Sequence, residues 1–425
     1  MKKLFTTLLT AFTAITLASC ENNSKGSKDS FIPALDTKTK CEIKMVGDYD
    51  SFPEMLEEFK EFRKYYPNVL ISYSPISGKE YTDRIAVILE GDKPNMFFSS
   101  TWMIGDEKYE TIVSHMEDLS NPELNINLSC IRPGLISSGN NLMVPLFGRT
   151  YGMLVNDTLF KKENLQVPSN FNELLAVCKS FKDRGYSNPM MGYSLEPSNS
   201  LMNTIAYPAV VAELANNPDA IELANNLDSR AGVYTRSALS AVDQLAKSGA
   251  FVVSECNKIE DNYDKVLVRF LEGDVPMMIC ADDTPSGAKK RETRVQAFID
   301  HPFSYSYAPI PVGDNGGYLI DNPSKLLSVN KHCENLDMTN EFMRFLVSTT
   351  ELNELATRKN LISSTKKISF DSIYAPFGKV PAERTFSPEG LDFKDAIKVQ
   401  VRKAAYKVGT GEIDVETAVA QYGSF

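Results

Sequence analysis

Alternating and helical hydrophobic patterns follow one another along this chain. Residues 41–46 read as a short strand and 47–52 as a loop. Ser51 and Glu54 stand at capping-box spacing, so a helix is expected to start there. Met55, Phe59, Phe62 and Tyr66 then fall on one face, and Pro67 closes it. Residues 69–74 alternate as a strand. Tyr81, Ile85 and Ile88 mark a helix that stops at Gly91, and 96–98 form a brief third strand. This β-α-β-α-β opening predicts a mostly parallel sheet with helices on both faces. Ligands of such sheets meet the loops at the carboxyl ends of the strands, here 48–50, 74–79 and 99–103.

Residues 142–147 and 151–155 form two apolar strands broken by Gly148, Arg149 and Thr150. A buried strand, a polar break and a second strand is how a chain crosses from one lobe to another. That places 148–150 on the floor of a cleft, with Arg149 and Tyr151 aimed at a ligand. The alternative is an ordinary bulge with a surface Arg. Beyond it, Asn170 and Glu173 predict a helix start. Leu174, Cys178 and Phe181 line its core face, and Gly185 stops it. Residues 201–273 read as largely helical. Residues 275–280 are an apolar strand, ending in the polar loop Ala281-Asp-Asp-Thr-Pro-Ser-Gly287. Residues 303–311 carry Pro309 and Pro311, which puts that strand at an edge or a crossing. A strand at 325–329 and helices at 339–346, 351–358, 394–406 and 415–422 complete the chain.

Residues 1–20 are expected to stand apart from the fold. Lys2 and Lys3 precede an uncharged apolar run, and Leu17-Ala-Ser-Cys20 closes it with small residues. This is secretory-signal anatomy, too short to span a membrane stably. The Cys after the small residues resembles a bacterial lipoprotein signal, which implies lipidation of Cys20. A plain secreted signal is the alternative. Residues 21–40 are polar at their start and read as a flexible tether.

The formal charge of −10 argues against nucleic acid as a partner. Cys41, Cys130, Cys178, Cys256, Cys280 and Cys333 are scattered, with no C-x-x-C pair, and the sequence does not pair them. The three His residues stand far apart, and no metal-ligand spacing appears. No nucleophile-elbow motif or phosphate-cradling loop appears either. No cofactor, no metal and no catalytic residue are therefore expected.

A series of fragments carries a resemblance. It runs from Phe59-x-x-Phe-Arg-x-x-Tyr-Pro67 through Lys93-Pro-Asn-Met-Phe-Phe98 to Tyr151-Gly-Met-Leu-Val-Asn-x-x-Leu-Phe160. Val167-Pro-Ser-x-Phe-Asn-Glu-Leu174, Phe270-Leu-Glu-Gly-Asp-Val-Pro-Met-Met278 and Glu341-Phe-Met-Arg-Phe-Leu-Val-Ser348 follow. In this order, after a lipoprotein-like signal, they resemble the extracellular solute-binding proteins of sugar-type ABC importers, the family that includes maltodextrin-binding proteins. The resemblance implies an α/β fold of two lobes, of the periplasmic-binding-protein type II, joined by three crossovers near Gly148, 308–311 and Ser348. Lobe 1 would hold 41–147 and 312–347; lobe 2 would hold 148–311 and 348–425.

The function implied is capture of a sugar or short oligosaccharide in the interlobe cleft. Delivery to the transmembrane subunits of an ABC importer would follow, from a monomer anchored outside the cell membrane by Cys20. Sugar faces stack on aromatic rings and hydroxyls bond to carboxylates, amides and guanidinium groups. The candidates at the expected cleft loops are Asp50, Tyr73, Phe98, Ser99, Trp102, Arg149, Tyr151, Asp282, Asp283, Thr284 and Tyr318. Trp102 is the single Trp of the chain; it faces the cleft or it packs in a core. Many family members carry a Trp after the Val-Pro-Met-Met strand, where this chain has Asp282, Asp283 and Thr284. That departure favours a short, polar or amino-bearing ligand, unless the pair serves as a helix cap. Other readings are a binder of a different polar solute, an extracellular glycan hydrolase, and a receptor that passes its closed state to a signalling partner.

Overall fold

The computed structural model describes residues 31–78, 80–136, 141–259, 263–280, 284–313, 315–368 and 370–425. The chain divides into two units, Met1–Ile32 and Pro33–Phe425. The second contains every element described below.

Twelve strands are described: β1 Cys41–Gly47, β2 Val69–Pro75, β3 Met96–Ser99, β4 Val144–Arg149, β5 Gly152–Asn156, β6 Met190–Met191, β7 Met277–Cys280, β8 Tyr305–Ala308, β9 Leu319–Ile320, β10 Asn322–Val329, β11 Ile362–Ser363 and β12 Thr385–Phe386. They form a six-stranded sheet in the order β11-β4-β10-β3-β1-β2, a four-stranded sheet in the order β6-β7-β5-β8, and a β9–β12 pair. The sheets are mixed rather than mostly parallel. β1 runs parallel to β2 and β3, as the opening pattern predicts. However, β10 is antiparallel to β3 and β4, and β11 to β4. In the second sheet only β6–β7 is parallel. The cause is connectivity. β-α-β units give parallel neighbours, but strands that arrive through a crossover enter from the other end.

Each sheet carries its own helices. The Pro53–Phe62 helix buries Met55, Phe59 and Phe62, with Phe59 on Phe342 and Phe62 on Phe342 and Phe345 of the Leu336–Leu346 helix. It is not capped by Ser51. Phe52 occupies the cap without a side-chain bond, and Pro53 opens the first turn with its ring-fixed φ. Glu54 is engaged elsewhere, with Lys359. On the second sheet, Asn170 does cap the Phe171–Asp183 helix, accepting from Glu173 N–H at 3.0 Å. Glu173 reaches back to Ser169 N–H at 2.8 Å. Leu174, Cys178 and Phe181 are buried beneath it. The Ser200–Ala215, Arg236–Ser248 and Asp395–Gly409 helices pack together in the same core. β8 lies at its sheet's edge and ends at Ala308, so Pro309 and Pro311 fall in the passage that follows it.

The chain passes between the sheets three times. β4 ends at Arg149 and β5 begins at Gly152, so Thr150 and Tyr151 make the first passage. The second runs from Ala308 to Asn322. The third lies after Ser363, not near Ser348. The Thr349–Lys359 helix packs on the Pro53–Phe62 helix and on β4, and β11 still pairs with β4. Only afterwards does the chain reach β8, at Ser372–Tyr374. The sequence hid this because two residues are too few to read as a strand.

The six cysteines within the described residues are free thiols. Burial pushes the Cys130 thiol up to about 11 and Cys178 to about 12, which leaves both inert as nucleophiles. No described helix is long and apolar enough to cross a membrane.

Candidate solute-binding site

The site begins at the carboxyl end of β1. Gly47 sits directly on the Phe98 ring; a Cβ there would lie 2.7 Å from it and 2.9 Å from the Tyr73 hydroxyl. Glycine therefore allows the turn to close over an aromatic floor. The floor consists of Tyr49, Phe52, Tyr73 and Phe98, with ring centroids 5.2 to 6.1 Å apart among the contacting pairs. Tyr73 fixes the loop. Its hydroxyl accepts from Tyr49 N–H at 3.1 Å and donates to the Tyr49 carbonyl at 2.7 Å. Burial pushes this phenol far above its ordinary range, with the bond from the Tyr49 backbone opposing and Asp48 and Asp50 adding to the rise.

Phe98 alone of these rings borders a cavity of ≈ 220 Å³. Asp48, Phe98, Ser99, Trp102, Arg149 and Lys325 line it. β3 delivers Phe98 and Ser99, and Ser99 is locked to Ser328 by hydroxyls 2.7 Å apart. The turn Thr101–Met103 then holds Trp102 at 46% exposure, its indole edge-on to Tyr109 at 4.8 Å. β4 ends on Arg149 opposite Asn322. Lys325 pairs with both oxygens of Asp48, at 2.7 and 2.8 Å.

The Tyr49 ring receives two cations. Lys325 Nζ lies 4.4 Å from its centroid and Lys359 Nζ 4.3 Å. Lys359 is buried and bonds Glu54 at 3.3 Å. Burial holds its ammonium down to about 8; Glu54 opposes this and Lys290 reinforces it.

Four of the expected residues thus share one cavity: Phe98, Ser99, Trp102 and Arg149. The others stand apart. Asp50 is exposed, and its place on the cavity is taken by Asp48 two residues earlier. Tyr73 lies behind the wall as a support. Tyr151 is buried in the second core, edge-on to Tyr207 at 5.3 Å. An apolar strand start looks the same in sequence whichever way its first ring turns. Thr284 is buried at the start of the Thr284–Arg291 helix, and Tyr318 packs on Phe386 at 6.2 Å. Asp282, Asp283 and Cys20 lie outside the described residues. Lys325 was missed, because alternation showed only a strand and carried no sign of its backbone. Among the described residues no three His, Cys, Asp or Glu are placed to hold a metal ion.

The arrangement offers a half-exposed indole, a carboxylate, an ammonium, a guanidinium and hydroxyls around one small space. Such a mix can stack and hydrogen-bond a small polar solute. The chain belongs to the bacterial extracellular solute-binding protein family, whose model matches residues 46–351. No curated protein matches the sequence. Solved structures share the fold. A family 1 extracellular solute-binding protein from Bifidobacterium longum subsp. infantis superposes with a TM-score of 0.64 at 14% identity, over 91% of this chain and 98% of that one. The GacH receptor of Streptomyces glaucescens, solved unliganded and with acarbose, gives 0.64 at 16% identity over 91% and 97%. RafE from Streptococcus pneumoniae gives 0.64 at 15% identity over 91% and 97%. These likenesses establish a two-lobed α/β solute-binding fold.

Proposed function

We propose that this protein captures a carbohydrate, a sugar or short oligosaccharide, between its two lobes and passes it to an ABC importer. One observation carries the reading. A half-exposed Trp102 shares a cavity with the Asp48–Lys325 pair and Arg149, at the ends of β1, β3 and β4. The indole supplies a stacking face, and the charged groups supply donors and acceptors for ring hydroxyls. The likeness to GacH, solved with acarbose, and to RafE, solved with raffinose, supports the same class of ligand.

The mechanism is differential affinity. A ligand seated on the six-stranded sheet's wall gains its second set of contacts only when the other lobe closes, so it shifts the open–closed balance. Phe98, Ser99, Trp102 and Arg149 are the contacts on this wall, with Asp48 added. The domain division follows the sheets, with the tail after Ser363 joining the four-stranded sheet's lobe. The protein acts as a monomer that binds without chemistry, held outside the cell membrane by a lipid on Cys20. Replacing Cys20 with Ala would release it from the membrane fraction; retention there would refute the anchor.

A thermal-shift screen with raffinose, stachyose, acarbose and xylo-oligosaccharides tests the reading. Binding to the folded state alone raises the melting temperature with ligand concentration. A response confined to another solute class would refute the carbohydrate assignment. Glycan turnover by purified protein would refute the binding-only reading.

A further inference from the structure

Lys325 stands in a backbone conformation that side chains rarely adopt. Its φ is +51°, left-handed, in the middle of β10. The ladder to β4 keeps one register on both sides, Ser324 opposite Phe147 and Leu326 opposite Pro145, and Lys325 has no ladder partner between them. A lysine gains nothing locally from this region, where glycine or asparagine would sit with less strain. Such outliers persist where the surroundings over-determine them, and they gather at ligand sites. The result of this one is specific. It turns the Lys325 ammonium into the cavity, over the Tyr49 ring at 4.4 Å and the Phe98 ring at 5.7 Å, and onto Asp48.

We infer that Lys325 is a specificity-determining residue of the solute site, and that with Asp48 it reads two neighbouring hydroxyls of a sugar ring. This rests on the carbohydrate reading above. Asp48 bonds Lys325 through both oxygens, yet each oxygen keeps a further lone pair and the ammonium one further proton. A vicinal diol matches that remainder. One hydroxyl donates to Asp48 and its neighbour accepts from Lys325, and the ion pair stays intact. Neither charge is left buried alone, the outcome that costs most. Both residues border the same cavity as Trp102, so the ring that stacks on the indole is the one whose diol is read.

The test uses calorimetric titration of the full chain with raffinose, stachyose and galacturonic acid, and with deoxy analogues of whichever neutral sugar binds. Lys325→Gly keeps the left-handed backbone and removes the ammonium; Lys325→Asn, which also tolerates that backbone, serves as a second variant. Both should weaken the bound sugar at least tenfold while each unliganded variant still unfolds in one cooperative transition. Removing one hydroxyl of the diol should weaken wild type by a similar factor and leave Lys325→Gly unaffected, a pattern a merely structural lysine would not give. Wild-type affinity in both variants would overturn the role of Lys325. Preference for galacturonic acid over every neutral sugar would overturn the diol reading. A wild type that answers no carbohydrate but answers another polar solute would remove the carbohydrate reading alone, and Lys325→Gly would then decide the role of Lys325 on that solute.

Discussion

Arg132 grips Asp321 with two parallel bonds, Nε to Oδ2 at 2.6 Å and Nη2 to Oδ1 at 2.8 Å. The same guanidinium donates through Nη1 to the carbonyls of Ser363 at 2.5 Å and Thr365 at 2.8 Å. Gly148, one residue before the end of β4, lies so close that a Cβ would be 2.6 Å from Nη2. Asp321 ends the second passage between the sheets, Ser363 begins the third, and Gly148 precedes the first. One largely buried cation therefore bonds the second and third connections and packs against the strand that leads into the first.

Arg132→Met should cost about 3–5 kcal/mol in urea unfolding, because it strands the Asp321 carboxylate in a place with little water. Adding Asp321→Leu to it should recover part of that loss. A single variant as stable as wild type would show the pair to be idle.

Tyr307 serves the first passage from the other side. Its hydroxyl lies 3.0 Å from the Thr150 carbonyl and 2.9 Å from that of Cys280. Tyr307→Phe removes the only polar atom of a buried ring and should destabilise by roughly 1–2 kcal/mol. Denaturant midpoints at constant slope would measure it.

Glu58 sets a pH dependence. Burial, first, and a hydrogen bond shared with Glu351 push its carboxyl up to about 8, against the pull of Arg358. A carboxyl raised in the folded state stabilises most when protonated, so its contribution is full below about 4.5 and is lost as the pH climbs through about 8. Wild type should lose stability across that window, and Glu58→Gln should show a shallower slope. Parallel melting curves from pH 5 to 8.5 would contradict the shared proton.

Trp102→Ala should leave the unliganded melting temperature within a few degrees, since half the ring is in water. It should weaken the bound solute by about tenfold or more, the loss of one stacking face. Calorimetry on both proteins decides between a binding ring and a surface ring.

Much of this was legible in the sequence. The periodicity of Met55, Phe59 and Phe62 and the Asn170 cap foretold real elements, because local pattern and tertiary packing agree there. The cap at Ser51 failed because Pro53 opens that helix and Glu54 is drawn to the buried Lys359. Phe98, Ser99, Trp102 and Arg149 could be expected to lie near one another because strand ends predict where loops gather, and they do share one cavity. Asp48, Lys325 and Arg132 could not be assigned their parts. Their roles depend on a turn, a single left-handed residue and contacts across 189 and 231 positions of sequence.

The chain's single indole offers the most direct measurement. Trp fluorescence reports Trp102 alone, and a carbohydrate that raises the melting temperature should shift it with a saturable curve matching the calorimetric affinity. Saturable carbohydrate binding with an unaltered indole signal would contradict the placement of the site, and the absence of any carbohydrate response would contradict the carbohydrate reading.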